Sequence, residues 1–126
     1  MFACKLRTDI SFLGREAVEK ARAEGPRRRL VSLVLADPDT MMWGGELVLR
    51  DGVAVGQVTS AAWGAALRAS VGLAYVRDPS GGAVTPEFVR TGSYRVNVGG
   101  EVRAATASLR PPFDPAGERV RGRPPA

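Results

Sequence analysis

A chain of 126 residues, 44% hydrophobic and 25% charged, suits one soluble domain able to bury about two-thirds of its unfolded surface. Its longest apolar run is far short of the ~18 residues of a membrane span, and its first residues turn polar too soon for a signal peptide, so a cytoplasmic location is expected. The net charge is +5, histidine is absent and Cys4 is the single cysteine, which excludes an internal disulfide, a metal cluster and the commonest general base.

Taken in chain order, Gly14 to Glu24 is predicted as a helix, with Ala17, Val18 and Ala21 on one face and Glu16-Lys20 as an i,i+4 pair. Ser11 is its expected cap and Gly25-Pro26 its stop. At three turns it needs something to dock on. The triple arginine Arg27-Arg28-Arg29 follows. Arginine forks suit carboxylate and phosphate; the other reading is a solvated joint between helix and first strand.

The apolar run from Leu30 to Leu35 is predicted as a strand, ended by a turn at Asp37-Pro38-Asp39. The two aspartates could form a paired acid and base, yet Asp and Pro both favour turns, and the turn is preferred. Trp43-Gly44-Gly45-Glu46 reads either as a loop covering one barrel end or as a ligand contact. In the second reading glycines let backbone approach a flat molecule and Glu46 accepts its N–H groups.

Asp51-Gly52 between apolar runs marks a hairpin. Residues 66–76 suit a strand or a helix by periodicity, and Gly72 favours the strand. A loop with a helical turn near Pro86 leads to a second hairpin, turning at Gly99-Gly100. From Pro111 onward proline, glycine and arginine dominate, and 114–126 is expected as a disordered tail after a domain at 1–113. Several short strands with few helices point to a small barrel or a sandwich.

The ordered segments "DISFLGREAV", "GPRRRLVSLVL", "WGGELVLRDGVAVGQVTSAAWG", "ASVGLAYV" and "LRPPFDPAGERV" resemble the C-terminal barrel domain of the glycine cleavage T-protein (aminomethyltransferase) family. The resemblance is strongest to the folate-binding portion of dimethylglycine and sarcosine dehydrogenases. It implies a mainly β fold, a six-stranded antiparallel barrel preceded by one short helix. It also implies tetrahydrofolate as cofactor, with a one-carbon unit moved from an amine donor. The family's catalytic aspartate and its Gly-x-Arg-Asp-x-Leu-Arg segment lie upstream of the matched region. The chain is therefore expected to correspond to the last third of such an enzyme, without catalysis of its own. Ala61-Ala62 stand where the family has a glycine-rich step, and Trp63 at its aromatic position.

No catalytic residue is assigned. Cys4, Ser60 and Ser70 have no histidine to activate them, and no metal site is expected. Trp43, Glu46 and Trp63 are the candidate ligand contacts; Trp63 could also line a domain interface or plug the barrel. A partner subunit or a second copy is expected to bind through the N-terminal edge, Phe2, Leu6, Ile10 and Phe12, with the two tryptophan loops. The alternative is an independent basic barrel holding an oligonucleotide or another anionic ligand. That reading ranks lower because few aromatics are interleaved with the basic residues.

Overall fold

The computed structural model describes residues 11–122; Phe2, Cys4, Leu6, Ile10 and the last four positions lie outside them. Helix α1 (Arg15–Glu24) precedes β1 (Arg28–Leu35), β2 (Leu47–Arg50), β3 (Val53–Gly64), β4 (Ala69–Arg77), α2 (Pro86–Thr91), β5 (Tyr94–Val98) and β6 (Glu101–Ser108). The strands close into an antiparallel barrel in the order β1-β4-β3-β2-β5-β6. Closure removes every sheet edge. No helix among the described residues is long and apolar enough to cross a membrane.

Both expected hairpins form. Asp51 and Gly52 have φ of 51° and 84°, and Gly99 and Gly100 have 61° and 93°, the left-handed pairs that suit two-residue turns between twisted strands. Two further devices bend the sheet. The β2–β3 register shifts between Val48 and Leu49, and the β3–β4 register shifts at Thr59, between Val58 and Ser60. An extra residue on one strand sharpens the local twist, which lets the twelve-residue β3 wrap around the core.

Inward-facing side chains fill the barrel: Val31, Leu33 and Leu35 from β1, Val48 from β2, Val55 and Val58 from β3, all 2% exposed or less. Each such side chain contributes about 1.5–3 kcal/mol by leaving water. On β4 the inward row is Ser70, Gly72, Ala74 and Val76, small in its first three positions, while Leu73 and Tyr75 point outward. A Cβ on Gly72 would meet the Met42 methyl at 3.1 Å and Val58 Cγ1 at 3.2 Å. The interior is thus already full at that level, so only small residues face inward there, and the inward row takes a larger side chain again only at Val76.

The helix α1 departs from its expected details. Ser11 does not cap it; Gly14, in the left-handed region at φ 86°, is the N-cap and offers no side chain. The ion pairs that form are Arg15–Glu19 at 2.8 Å and Lys20–Glu24 at 3.9 Å, not Glu16–Lys20. No α1 residue is buried among the described residues, and Val18 is only half-buried. Helix α2 docks on the barrel. Thr85 Oγ1 accepts the Phe88 N–H at 3.0 Å, Pro86 follows the cap, and Val89 is buried against the core.

The segment expected as a tail from position 114 carries turns as far as Gly122. The Asp114 carboxylate accepts the Glu118 N–H at 2.8 Å and the Arg119 N–H at 3.1 Å. Arg119 also lies 5.0 Å from the Phe113 ring centre.

Candidate functional site

The loop between β1 and β2 is built around two carboxylates. Asp37 accepts the Asp39 N–H at 3.0 Å and the Thr40 hydroxyl at 2.7 Å, and Arg103 Nε lies 3.6 Å away. Asp37 is thus a turn residue, and no second carboxylate shares its proton. The Thr40 hydroxyl, then the Asp39 amide, hold its pKa below the ordinary value; partial desolvation opposes them and Arg103 adds to them. Asp78 is lowered in the same direction, first by the Ser80 amide and then by its hydroxyl.

A depressed folded pKa gives stability that is complete above the unfolded value near 4 and fades as pH falls through the folded value. Asp37→Asn is therefore expected to flatten the loss of stability below about pH 4, read by chemical denaturation across pH. An unchanged acid slope would refute the assignment.

Further along, Gly44 and Gly45 take φ of 118° and 94°, so the chain doubles back and lays against β3. Gly45 N–H reaches Val58 O at 2.7 Å, and Val58 N–H reaches Glu46 O at 2.9 Å. The Glu46 carboxylate accepts the Trp43 N–H at 2.5 Å and the Gly44 N–H at 2.9 Å. Both of its oxygens thereby hold the loop that presents Trp43. That indole stands 82% exposed and Trp63 is 48% exposed. Trp43 thus covers little of the barrel, whereas Trp63, the cross-strand partner of the buried Ser70, stands half-exposed at the barrel end.

One hydrogen bond ties the two tryptophans to the same barrel end. Ser70 Oγ accepts the Met42 N–H at 2.9 Å, and Ser70 is the cross-strand partner of Trp63. The Ser70 hydroxyl also points to Met41 Sδ at 3.7 Å. It is fully buried and has no base beside it. Ser60 lies exposed on β3 opposite Leu73. No group of three or more metal-ligating residues exists among the described residues.

The arginine triplet is divided between two jobs. Arg27 donates to Gly81 O and Arg29 Nε to Val84 O at 2.8 Å, while Val84 N–H returns to Pro26 O at 2.8 Å. These bonds stitch the entry of β1 to the loop before α2. Arg28 instead faces outward, 5.1 Å from the Tyr75 ring centre.

Sequence reading missed Arg50. Its Nε donates to Phe88 O at 3.0 Å, another nitrogen reaches Thr91 Oγ1 at 3.3 Å, and a third pairs with Asp51 at 2.7 Å. The guanidinium lies 4.1 Å from the Phe88 ring centre. Beside it, the Tyr94 hydroxyl is buried with no hydrogen bond of good geometry; burial raises its pKa, while the Arg50 charge and a poorly aligned contact from the guanidinium pull the other way. The available signal was an arginine immediately before a hairpin Asp-Gly; its partners lie 38 and 41 residues away.

Residues 28–114 match the glycine cleavage T-protein C-terminal barrel domain family. Mitochondrial sarcosine dehydrogenase of Mus musculus is 45% identical over 121 residues, 96% of this chain and 13% of that protein. The formaldehyde-forming 4-methylaminobutanoate oxidase of Paenarthrobacter nicotinovorans is 36% identical over 111 residues, 88% of this chain and 12% of the oxidase. A probable aminomethyltransferase of Haloarcula marismortui is 32% identical over 109 residues, 86% of this chain and 28% of that protein. Among solved structures, the glycine cleavage system aminomethyltransferase T from Bartonella henselae superposes with a TM-score of 0.61 at 22% identity. That match covers 78% of this chain and 26% of the other. The chain thus spans a small fraction of the relatives it matches.

Proposed function

Because this chain belongs to the glycine cleavage T-protein C-terminal barrel domain family, we propose that it serves as the barrel module of a tetrahydrofolate-dependent aminomethyltransferase or amine dehydrogenase. In this reading it works in one-carbon and amine metabolism, has no turnover by itself, and acts with a partner that supplies the reacting groups. The observation that carries the proposal is the pair of exposed indoles, Trp43 and Trp63, at one barrel end. A loop locked by Glu46 holds an apolar ring in water, an arrangement that costs free energy unless something covers it. Domain interfaces of about 600–1,500 Å² are the usual cover in such proteins. The flat indole faces also suit a pterin ring, with Glu46 acting through the loop it holds.

The purified chain is expected to show no aminomethyl transfer and no amine oxidation with tetrahydrofolate and a methylated amine. Measurable turnover in a preparation free of other enzymes would overturn the proposal. It is also expected to associate, with a partner subunit or with a second copy, through the Trp43 and Trp63 end and the N-terminal edge around Phe12. Sedimentation at tens of micromolar checks this. A clean monomer that gains nothing from Trp43→Ala or Trp63→Ala would count against the covered-surface reading.

A further inference from the structure

We propose that the outer face of β1, β4, β3 and β2 carries a binding groove for a small oxyanion joined to a planar apolar body, that is, a phosphorylated or carboxylated ring compound. The inference rests on this face alone and is independent of the family reading.

A groove of about 440 Å³ runs across these strands, and Arg28, Arg77, Tyr75, Gln57 and Leu47 are among the residues that line it. Arg28 and Arg77 are direct cross-strand partners, so their side chains leave the sheet on the same side. Both are exposed. Like charges directly opposite one another on a sheet destabilise it. Among the described residues neither guanidinium has an ion pair or a hydrogen bond to offset that repulsion. Asp78, adjacent in sequence, turns to Ser80 instead, its Oδ1 accepting the Ser80 amide at 2.9 Å and hydroxyl at 2.8 Å, and it forms no ion pair with either arginine. No carboxylate lines the groove.

The rest of the groove is shaped for the body of such a ligand. Tyr75, two residues from Arg77 on the same face, is 46% exposed, and the Arg28 guanidinium lies 5.1 Å from its ring centre. The pair forms one continuous ledge, charged at one end and aromatic at the other. Across the strands the row continues from Tyr75 to Gln57 and from Gln57 to Leu47. Leu47 is 39% exposed. An oxyanion seated between the arginines takes charge-assisted hydrogen bonds from two forks and removes their mutual repulsion. A ring attached to it rests on Tyr75 and reaches Leu47. The volume lies in the range of small-molecule sites.

The test is a titration of the full chain followed by amide chemical shifts, with phenyl phosphate, benzoate and inorganic phosphate as probes at constant ionic strength. Saturable shifts centred on Gln57, Tyr75 and Arg77 are expected, with phenyl phosphate binding about tenfold tighter than inorganic phosphate through stacking. Preference for phenyl phosphate over benzoate assigns the phosphate class, and the reverse assigns the carboxylate class; either supports the groove. Arg28→Gln and Arg77→Gln should each weaken phenyl phosphate binding by about tenfold or more. Neither should lower the unfolding midpoint, since each relieves the repulsion. Tyr75→Leu should erase the advantage of phenyl phosphate over inorganic phosphate. Arg121→Gln, in the turns beyond the barrel, should change nothing. Absence of saturable shifts, or equal weakening by Arg121→Gln, would overturn the assignment. So would tighter, length-dependent binding of oligothymidylate, which would make the face a nucleic-acid surface.

Discussion

Gly56→Ala is expected to destabilise the domain by about 3 kcal/mol, the top of the usual overpacking range and a large share of the 5–15 kcal/mol typical of folded domains. The added Cβ would fall 2.0 Å from Tyr75 O and 3.0 Å from Tyr75 C. Both are backbone atoms of the neighbouring strand, so no side chain can swing aside. Strands β3 and β4 must separate locally, and β3 already carries a bulge at Thr59 that leaves little further adjustment. The midpoint of thermal unfolding should drop by as much as about 15 °C. Gly99→Ala supplies the comparison. Its φ is 61° and nothing lies within 4 Å of its Cβ, so only the left-handed strain of about 1–2 kcal/mol applies. If the two variants melt within a few degrees of each other, strand approach at Gly56 is not what limits stability.

Arg50→Ala is expected to cost about 2–4 kcal/mol and to act locally on α2. The side chain is mostly buried, with 19% of its surface exposed. It joins the end of β2 to Phe88 O, Thr91 and Asp51 while stacking on the Phe88 ring. Truncation leaves Phe88 O without that donor and uncovers one face of the ring. Arg50→Lys should recover little, because one ammonium cannot serve three directions and a stack together. Hydrogen exchange reads the effect directly. Protection of the Val89 amide, bonded to Thr85 O at 3.3 Å, should fall more than protection within β1. Uniform loss across the barrel would instead mean that Arg50 acts only through global stability.

Gly92 gives a second check on the same clamp. A Cβ there would meet Arg50 Nε at 2.2 Å. Gly92→Ala should therefore displace the guanidinium in the wild-type background and cost much less once Arg50 is alanine. Tyr94→Phe, by contrast, removes a buried hydroxyl whose contact with Arg50 falls short of a well-formed hydrogen bond. It should be neutral or slightly stabilising, since burying an unsatisfied polar group is itself a cost. A loss comparable to Arg50→Ala would show that the hydroxyl is bonded in solution.

Local chemistry was enough for the hairpins at Asp51-Gly52 and Gly99-Gly100, the strand of Leu30 to Leu35, the turn at Asp37 and the helical turn at Pro86. Each depends on contacts within a few residues, and residue type alone sets the backbone preference there. The ordered motifs likewise made the family and its six-stranded barrel legible. They did not reveal which face of β4 points inward. Val71, Leu73 and Tyr75 alternate with Ser70, Gly72 and Ala74, and a period of two is the same read from either face. At the level of Gly72 the choice fell to Met42 and Val58, which occupy the interior there and leave no room for a side chain the size of Leu73 or Tyr75.

The same distinction separates the candidate residues. Trp43, Glu46 and Trp63 were visible as a pattern, but the sequence could not say that the Glu46 carboxylate closes its own loop, nor that both indoles stand in water. Arg50 and the Arg28–Arg77 pair were not visible at all. Their roles arise from partners dozens of residues distant along the chain. By itself the sequence determined turn chemistry, strand periodicity and family. Only closure of the barrel decided which side chains meet, because burial and cross-strand pairing are properties of the assembled sheet and of no single segment.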